Sequence, residues 1–223
     1  MKSSPLGKIA IVLSIILFPI LLFLVLSNGK YHYRHLEYFG PKEVSASGDT
    51  IYFTVPDFKF VNQNGDTITQ KNFDGKIYVA NFFFATCPTI CPKMTDEVKR
   101  VADEFKDNKN VLFISHTVNP EKDSLPALRA FAEKHGADTS KWYFVTGNRD
   151  SIYDLAMKGY LVPAGEDVRA EGGFMHSEKL LLIDKEKRMR GFYDSMDPEE
   201  MKRLKEEIKV LLYEYKEKEK AGK

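Results

Sequence analysis

Residues 81–94 have the sequence Asn-Phe-Phe-Phe-Ala-Thr-Cys-Pro-Thr-Ile-Cys-Pro-Lys-Met and contain the only two cysteines of the chain, Cys87 and Cys91. The apolar run 77–85 predicts a buried strand, and apolar residues at helical spacing after Pro92 predict an amphipathic helix. The cysteines therefore lie in a strand-to-helix turn. Proline suits a first helical turn, where unpaired amides and the positive end of the helix dipole favour thiolate over thiol.

Three residues separate the two thiols. In a helix this spacing places them one turn apart on one face, with β-carbons about 5–6 Å apart. The two sulfurs can then close on one ion or on each other. The pattern favours a reactive or metal-binding pair over the alternatives of a structural disulfide or two buried small apolar residues.

The N-terminal region contains 19 residues without a charge, Ile9 to Ser27. A bilayer-spanning helix needs about 20 apolar residues, and no small-residue cleavage pattern ends this run, so the sequence predicts an uncleaved anchor. The positive residues on either side, among them Lys8 and Lys30, discriminate weakly between orientations. We expect the N-terminus inside, with a single-pass protein in a bacterial inner membrane and its C-terminal domain facing the periplasm, where thiols tend to be oxidised.

The predicted organisation has five parts: a cytoplasmic N-terminus (1–8), the transmembrane anchor (9–27), a juxtamembrane linker (28–50), one α/β domain (51–216) and a charged tail (217–223). The chain has 33 basic and 32 acidic side chains, a net charge of +1. This balance gives no general attraction to nucleic acid.

The domain pattern predicts a thioredoxin-like α/β fold, with a central mixed sheet flanked by helices. Strand, helix, strand, helix implies a parallel pair with a right-handed crossover, and a late hairpin adds antiparallel strands. The predicted elements are a hairpin in 57–69 turning at Asn64-Gly65, strands at 77–85, 111–118 and 142–146, helices at 93–105, 125–135 and 150–158, a hairpin at 179–193, and a helix after Pro198.

Several separated motifs resemble the Sco/SenC family of thioredoxin-like copper chaperones. They are Val55-Pro-Asp-Phe with Asn64-Gly-Asp, the block 81–92, Asn119-Pro-Glu-Lys-Asp123, and Phe174-Met-His-Ser177. The resemblance covers roughly Val55 to Tyr213. It implies that Cys87, Cys91 and His176 are copper ligands and that the protein serves cytochrome oxidase assembly. The implied partners are the copper-accepting subunit of a terminal oxidase and a periplasmic copper donor or thiol reductant.

The chemistry of the three residues agrees with this implication. Two thiolates and an imidazole form a soft set suited to Cu(I), and with an added oxygen ligand they can hold Cu(II). Structural zinc sites are normally closed by four protein groups, and the sequence offers no obvious fourth one. His176 is predicted in a glycine-flanked loop, 171–177, from which it can swing towards a metal.

Other metal-binding residue types are given structural roles. Met94 and Met175 are expected to pack against apolar neighbours. His116 is predicted as a hydrogen-bonded residue at the edge of a buried strand, and His135 as the last residue of a helix before Gly136. His32 and His35 are expected to be solvated.

The segment 119–123 departs from the family in one position. The family commonly has an aspartate where this chain has Asn119, whereas Asp123 is retained, so a carboxylate that tunes copper or faces a partner is missing. The structural alternative is a loop followed by a helix N-cap at Asp123 or Ser124.

An enzyme is the competing hypothesis: a membrane-tethered thiol-disulfide reductase in which Cys87 attacks and Cys91 resolves. Such reductases usually separate their cysteines by two residues and place a proline opposite them. This chain has a three-residue separation, with Met175-His176 where the proline is expected. The Thr-x-x-Cys arrangement of peroxiredoxins is not matched by Ala85-Thr86-Cys87.

Overall fold

A computed structural model describes residues 5–28, 35–166, 174–176 and 178–222. Its strands are β1 (Lys42–Val44), β2 (Thr50–Tyr52), β3 (Lys59–Asn62), β4 (Thr67–Thr69), β5 (Ile77–Phe83), β6 (Val111–Thr117), β7 (Trp142–Thr146), β8 (Ala164–Glu166), β9 (Phe174–His176), β10 (Lys179–Ile183) and β11 (Met189–Asp194). Its helices are α1 (Pro5–Asn28), α2 (Ile90–Glu104), α3 (Leu125–Lys134), α4 (Arg149–Asp154) and α5 (Pro198–Lys220).

Seven strands form the central sheet, in the order β11-β10-β5-β6-β7-β3-β4. The three middle strands, β5, β6 and β7, are parallel, and the outer strands pair antiparallel. Every residue of β5 and β6 is buried, because elements cover both faces of the sheet; this explains why these strands are apolar runs rather than alternating patterns. The predicted thioredoxin-like mixed sheet flanked by helices is confirmed.

The two faces of the sheet are covered by different elements. On one face, Met94 of α2 contacts Asn81, and Phe131 of α3 packs against Phe83. On the other face, Phe82 packs against Tyr160, which follows a π-type turn at Leu155–Gly159. Successive residues of a strand point to opposite faces of the sheet. Alternate residues of β5 therefore face either α2 and α3 or the segment around Tyr160.

Most predicted elements are present, with shifted ends. The first hairpin turns at Asn64-Gly65, where Gly65 has φ +92°. Helix α2 begins at Ile90, earlier than the prediction that placed its start after Pro92. The helix predicted at 150–158 is instead α4 followed by the π-type turn. The Asn148 side chain accepts a hydrogen bond from the Ser151 N–H at 3.0 Å and so caps the start of α4, one residue earlier than predicted.

The N-terminal helix α1 contains Pro19, and the side chains described in it, Ile11 and those of 13–24, are exposed. In the described parts of the chain, no helix combines the length and the apolar character needed to cross a bilayer.

Residues 35–40 lie inside the predicted linker and contact the domain. Leu36 belongs to the buried core. Its carbonyl accepts a hydrogen bond from Arg190 at 3.0 Å, and the carbonyl of Glu37 accepts another from the same guanidinium at 3.2 Å. The Phe39 ring packs edge-on against Phe192. The described chain therefore meets the sheet at β11 before it enters the hairpin of β1 and β2.

Candidate metal and thiol site

The two cysteines lie where β5 gives way to α2. We call residues 84–89, between the end of β5 and the start of α2, the cysteine turn. The Cys87 N–H donates to the Phe84 carbonyl at 3.2 Å, which closes the turn, and Cys91 lies in the first turn of α2. Neither cysteine is in a disulfide, and both are buried. The predicted strand-to-helix placement of the pair is confirmed.

The Cys87 sulfur is surrounded by backbone N–H groups. The Cys91 N–H donates to Cys87 Sγ at 3.4 Å. Burial by itself raises the pKa of Cys87, but hydrogen bonds from the backbone of Cys91, Thr89 and Ile90 outweigh it, and the pKa lies below its usual value. A helix start with unpaired N–H groups stabilises an anion in this way.

Cys91 has the opposite character. Burial raises its pKa, and although a backbone hydrogen bond from Phe84 lowers it, the Cys87 sulfur and the Asp123 carboxylate raise it further. Cys91 is fully buried, whereas Cys87 retains 6% exposure. Cys87 is therefore the thiol that ionises and reacts first, and Cys91 follows once a metal or a disulfide partner replaces its proton.

The buried carboxylate of Asp123, in the segment that follows β6, is hydrogen-bonded to the cysteine turn. Asp123 Oδ2 accepts a hydrogen bond from the Ala85 N–H at 3.0 Å and another from the Thr117 hydroxyl. Burial raises the pKa of Asp123, and the two donors lower it by less, so the pKa lies above its usual value. The contact joins residues 38 positions apart, so local sequence patterns do not reveal it.

Asn119 forms part of the same turn region and is buried. Its N–H donates to Thr117 Oγ1 at 3.0 Å, and its carbonyl accepts from the N–H of Asp123 at 2.9 Å and from that of Lys122 at 3.2 Å. The position where the family commonly has an aspartate is thus occupied by a turn-forming amide that does not face solvent. Ser124 is the N-cap of α3, without a side-chain cap hydrogen bond.

The backbone places His176 in a strand, where the sequence predicted a loop. Strand β9 pairs antiparallel with β8, and His176 stands opposite Ala164. The extended partner strand explains the difference, because a short segment takes its conformation from its neighbour. The side chain of His176 and residues 171–173 and Ser177 of the predicted loop lie outside the described residues.

The described side chains include the two thiols but form no complete metal cage. Among them, no group of three histidine, cysteine or acidic residues stands close enough to hold an ion. Cys87 and Cys91 fit a soft, thiophilic metal through the pair of sulfurs at one helix start. His176, the third ligand predicted from the sequence, stays a prediction, because its side chain lies outside the described residues.

Met94 packs in the buried core. Its side chain is fully buried, and its sulfur accepts a hydrogen bond from the Asn81 amide at 3.7 Å. The predicted packing role of Met94 is confirmed. Met175 lies in β9, and its side chain is outside the described residues.

His116 differs from its prediction. It is fully buried on β6, surrounded by the rings of Phe58, Phe60, Phe82 and Tyr160, and neither ring nitrogen has a hydrogen-bond partner among the described residues. The prediction of a hydrogen-bonded edge residue is wrong, because aromatic side chains close around this end of the strand. Burial lowers the pKa of His116 to about 3, so its imidazole is neutral.

The remaining described histidines, His135 and His35, have the structural surroundings that the sequence predicted. His135 is the C-cap of α3 before Gly136, as predicted, and its Nδ1 lies 2.7 Å from Asp96 Oδ1. His35 is exposed, as predicted, and His32 lies outside the described residues.

Most of the domain is similar to known proteins. A family model described as SCO1/SenC matches residues 48–212. The SCO1 protein homolog of Bacillus subtilis is 33% identical over 125 residues, which are 53% of this chain and 65% of that protein. The match thus spans slightly less than two thirds of that relative.

Two solved structures have the same fold. One is BsSco, described as having a disulfide switch and as a member of the Sco family of cytochrome c oxidase assembly proteins; its TM-score is 0.64, with 25% identity over 71% of this chain and 93% of that chain. The other is Arabidopsis thaliana ScoI with copper bound, whose TM-score is 0.59, with 22% identity over 70% of this chain and 99% of that chain. At 22% identity the second shows the fold alone.

Proposed function

Because the chain belongs to the SCO1/SenC family, we propose that it binds copper and serves the assembly of a cytochrome oxidase. The observation that carries the proposal is the placement of two thiols, not joined in a disulfide, at the start of α2. Its support from relatives is twofold: BsSco is described as one of the cytochrome c oxidase assembly proteins, and a plant Sco protein of the same fold was solved with copper bound.

The proposed ligands are Cys87, Cys91 and His176. The two sulfurs and an imidazole form a soft, three-coordinate set that suits Cu(I) and leaves room for an oxygen ligand with Cu(II). Copper is the cargo rather than a permanent group, since an incomplete coordination shell permits ligand exchange with a partner. The low pKa of Cys87 supports early capture of the ion, because a thiolate is the binding form.

The test is competition for Cu(I) against a chromophoric chelator, using the reduced domain under anaerobic conditions. We expect one copper per chain in the wild type, and a loss of affinity of at least about tenfold in His176→Ala, as for removal of one ligand. The exposed His35→Ala is the matched control and should bind as the wild type does. Equal affinity in the two histidine variants would remove His176 from the ligand set.

The second candidate function is thiol-disulfide exchange, and the asymmetry of the two thiols favours it. Cys87 has a lowered pKa, and Cys91 is fully buried with a raised pKa, which is the arrangement of an attacking and a resolving cysteine. Reduction of a partner's disulfide by wild type and His176→Ala at the same rate, without copper binding by either, would favour this function. Copper binding that depends on His176 would favour the first.

The partners and location are also proposed. The run of 19 uncharged residues from Ile9 to Ser27 approaches the roughly 20 residues that a bilayer-spanning helix needs, and this feature of the sequence supports a single-pass anchor in a bacterial inner membrane with the C-terminal domain in the periplasm. There the domain would meet the copper-accepting subunit of a terminal oxidase and a copper donor or thiol reductant. Protease added to intact spheroplasts should remove the domain and spare the anchor; full protection would contradict this topology.

A further inference from the structure

Asp123 is the point where the cysteine turn is attached to the next parallel strand. One carboxylate oxygen, Oδ2, receives the Ala85 N–H from the cysteine turn and the Thr117 hydroxyl from the end of β6. Ala85 stands two residues before Cys87. The side chain of Asp123 thus crosses between the two turns that follow β5 and β6 and ties them together.

The other carboxylate oxygen is buried without a partner. Asp123 has 0% exposure, and Oδ1 has no hydrogen-bond partner among the described residues. A buried polar atom without a partner destabilises the folded state, because it has given up its hydrogen bonds to water. Such an atom in a folded protein calls for an explanation, of which a role at a functional site is one.

The carboxylate is not explained by the helix that follows it. A side chain capping α3 would accept N–H groups from the first turn of that helix, but both donors to Asp123 belong to other elements. Its backbone N–H donates to the Asn119 carbonyl at 2.9 Å, which closes the turn and turns the side chain inward. The alternative that the sequence offered, a helix N-cap at Asp123, therefore does not apply.

The contact acts on the turn that sets the positions of both thiols. The Phe84 carbonyl accepts the Cys87 N–H, and the Ala85 N–H of the same peptide unit donates to Asp123, so the two hydrogen bonds hold one peptide plane from both sides. The carboxylate also lies close enough to Cys91 to act on that thiol electrostatically. Asp123 is thereby linked to the backbone that carries Cys87 and to the electrostatic surroundings of Cys91.

We propose that Asp123 is a positioning residue: its carboxylate holds the Ala85 amide and so fixes the geometry in which Cys87 and Cys91 together bind copper or form a disulfide. This inference deepens the proposed function and, for its copper part, rests on it. The retained aspartate has this role, whereas the position that departs from the family, Asn119, contributes backbone hydrogen bonds that shape the same turn.

The test compares Asp123→Ala, which removes the acceptor, with Asp123→Asn, which keeps an oxygen in place and removes the charge. Three quantities are measured: amide hydrogen exchange at Ala85 by NMR, the dithiol–disulfide equilibrium against dithiothreitol, and Cu(I) affinity. In Asp123→Ala we expect faster Ala85 exchange, a shifted thiol equilibrium and weaker copper binding, each by about tenfold, which corresponds to one lost hydrogen bond to a charged group. Asp123→Asn should recover most of the Ala85 protection.

Ser115→Ala is the matched control for a general loss of stability. Ser115 is buried on β6, the strand that precedes Asp123; its hydroxyl donates to Asn81 at 2.7 Å and accepts from the Trp142 indole N–H at 2.8 Å, and neither partner belongs to the cysteine turn. It should lose stability without changing the three quantities. If Asp123→Ala changes them no more than Ser115→Ala does, the positioning role is refuted.

The two proposals can fail separately. If the wild type does not bind Cu(I), but Ala85 exchange and the thiol equilibrium still respond to Asp123→Ala, the copper function fails and the positioning role stands. If the wild type binds Cu(I) and Asp123→Ala binds it equally well with normal Ala85 exchange, the positioning role fails and the copper function stands.

Discussion

Two buried aspartates at opposite ends of the sheet have contrasting surroundings. Asp184, after β10, receives the Glu186 and Arg188 N–H groups at 2.9 and 3.0 Å and the Arg190 guanidinium at 2.9 Å. Asp123, after β6, has two donors on one oxygen and none on the other among the described residues. Both carboxylate oxygens of Asp184 therefore accept hydrogen bonds, whereas only one oxygen of Asp123 does so among the described residues.

The two ends of the sheet also contact different segments of the chain. At the Asp184 end, Arg190 binds the carbonyls of Leu36 and Glu37 and lies over the Tyr38 ring at 4.3 Å, so a network of charges fastens the chain that follows the N-terminal region. At the Asp123 end, the sheet carries the cysteine turn. The contrast indicates that buried ion pairs surround the aspartate at one end, whereas the aspartate beside the cysteine turn keeps one oxygen without a partner among the described residues.

The largest expected effect comes from removing the buried ion pairs of Arg190 at the Asp184 end of the sheet. Arg190→Met removes the partner of buried Asp184 and of Glu214, and we expect the free energy of unfolding to fall by about 3–5 kcal/mol. Urea denaturation measures it, with Arg100→Met, at an exposed pair with Glu97, as the control that changes little. A loss below about 1 kcal/mol would mean that the Arg190 network is not the main support of this end.

The second prediction concerns the other end of the sheet, where His116 has no hydrogen-bond partner among the described residues. Its folded pKa of about 3 lies below the unfolded value of about 6.5. The unfolded chain therefore binds the proton first, and the stability contributed at neutral pH is lost as the pH falls from about 6.5 towards 3. Between pH 6.5 and 5 the loss should reach about 2 kcal/mol.

The measurement is urea denaturation of wild type and His116→Phe at both pH values. Phenylalanine fits an aromatic surrounding and has no ring nitrogen to desolvate, so the variant should lack this share of the pH dependence. Parallel pH profiles for the two proteins would show that His116 gains a partner or a proton in the folded state.

The third prediction separates the two thiols. At neutral pH, iodoacetamide should modify Cys87 in Cys91→Ser at least about tenfold faster than it modifies Cys91 in Cys87→Ser, because the pKa of Cys87 is lowered and that of Cys91 is raised. Mass spectrometry of the labelled proteins gives both rates. Equal rates would mean that the turn does not distinguish the thiols.

The smallest effect is expected at the surface near Asp184. Lys185 Nζ lies 2.9 Å from Glu219 Oε1, whose side chain is largely exposed. Lys185→Ala should therefore change the free energy of unfolding by less than about 1 kcal/mol. A loss as large as that of Arg190→Met would contradict the view that burial, rather than the number of ion pairs, makes this end stable.

Elements with strong local signals were predicted well. The apolar runs of β5 and β6, the Asn64-Gly65 turn and the apolar spacing of α2 each depend on neighbours a few residues away. The end of the predicted helix at 150–158 was missed, because the π-type turn at Leu155–Gly159 has no distinct composition. His116 was misjudged for a related reason: its aromatic neighbours come from segments far apart in the chain.

Local sequence patterns were sufficient to predict the fold class and the place of Cys87 and Cys91 between a strand and a helix, since hydrophobic periodicity and proline position are local properties. The tertiary structure alone decided that Asp123 turns inward to hold Ala85 and that Arg190 fastens residues 36–38. These contacts join residues 38 and more than 150 positions apart. Folding creates them by bringing the ends of different strands together, and no local pattern carries that information.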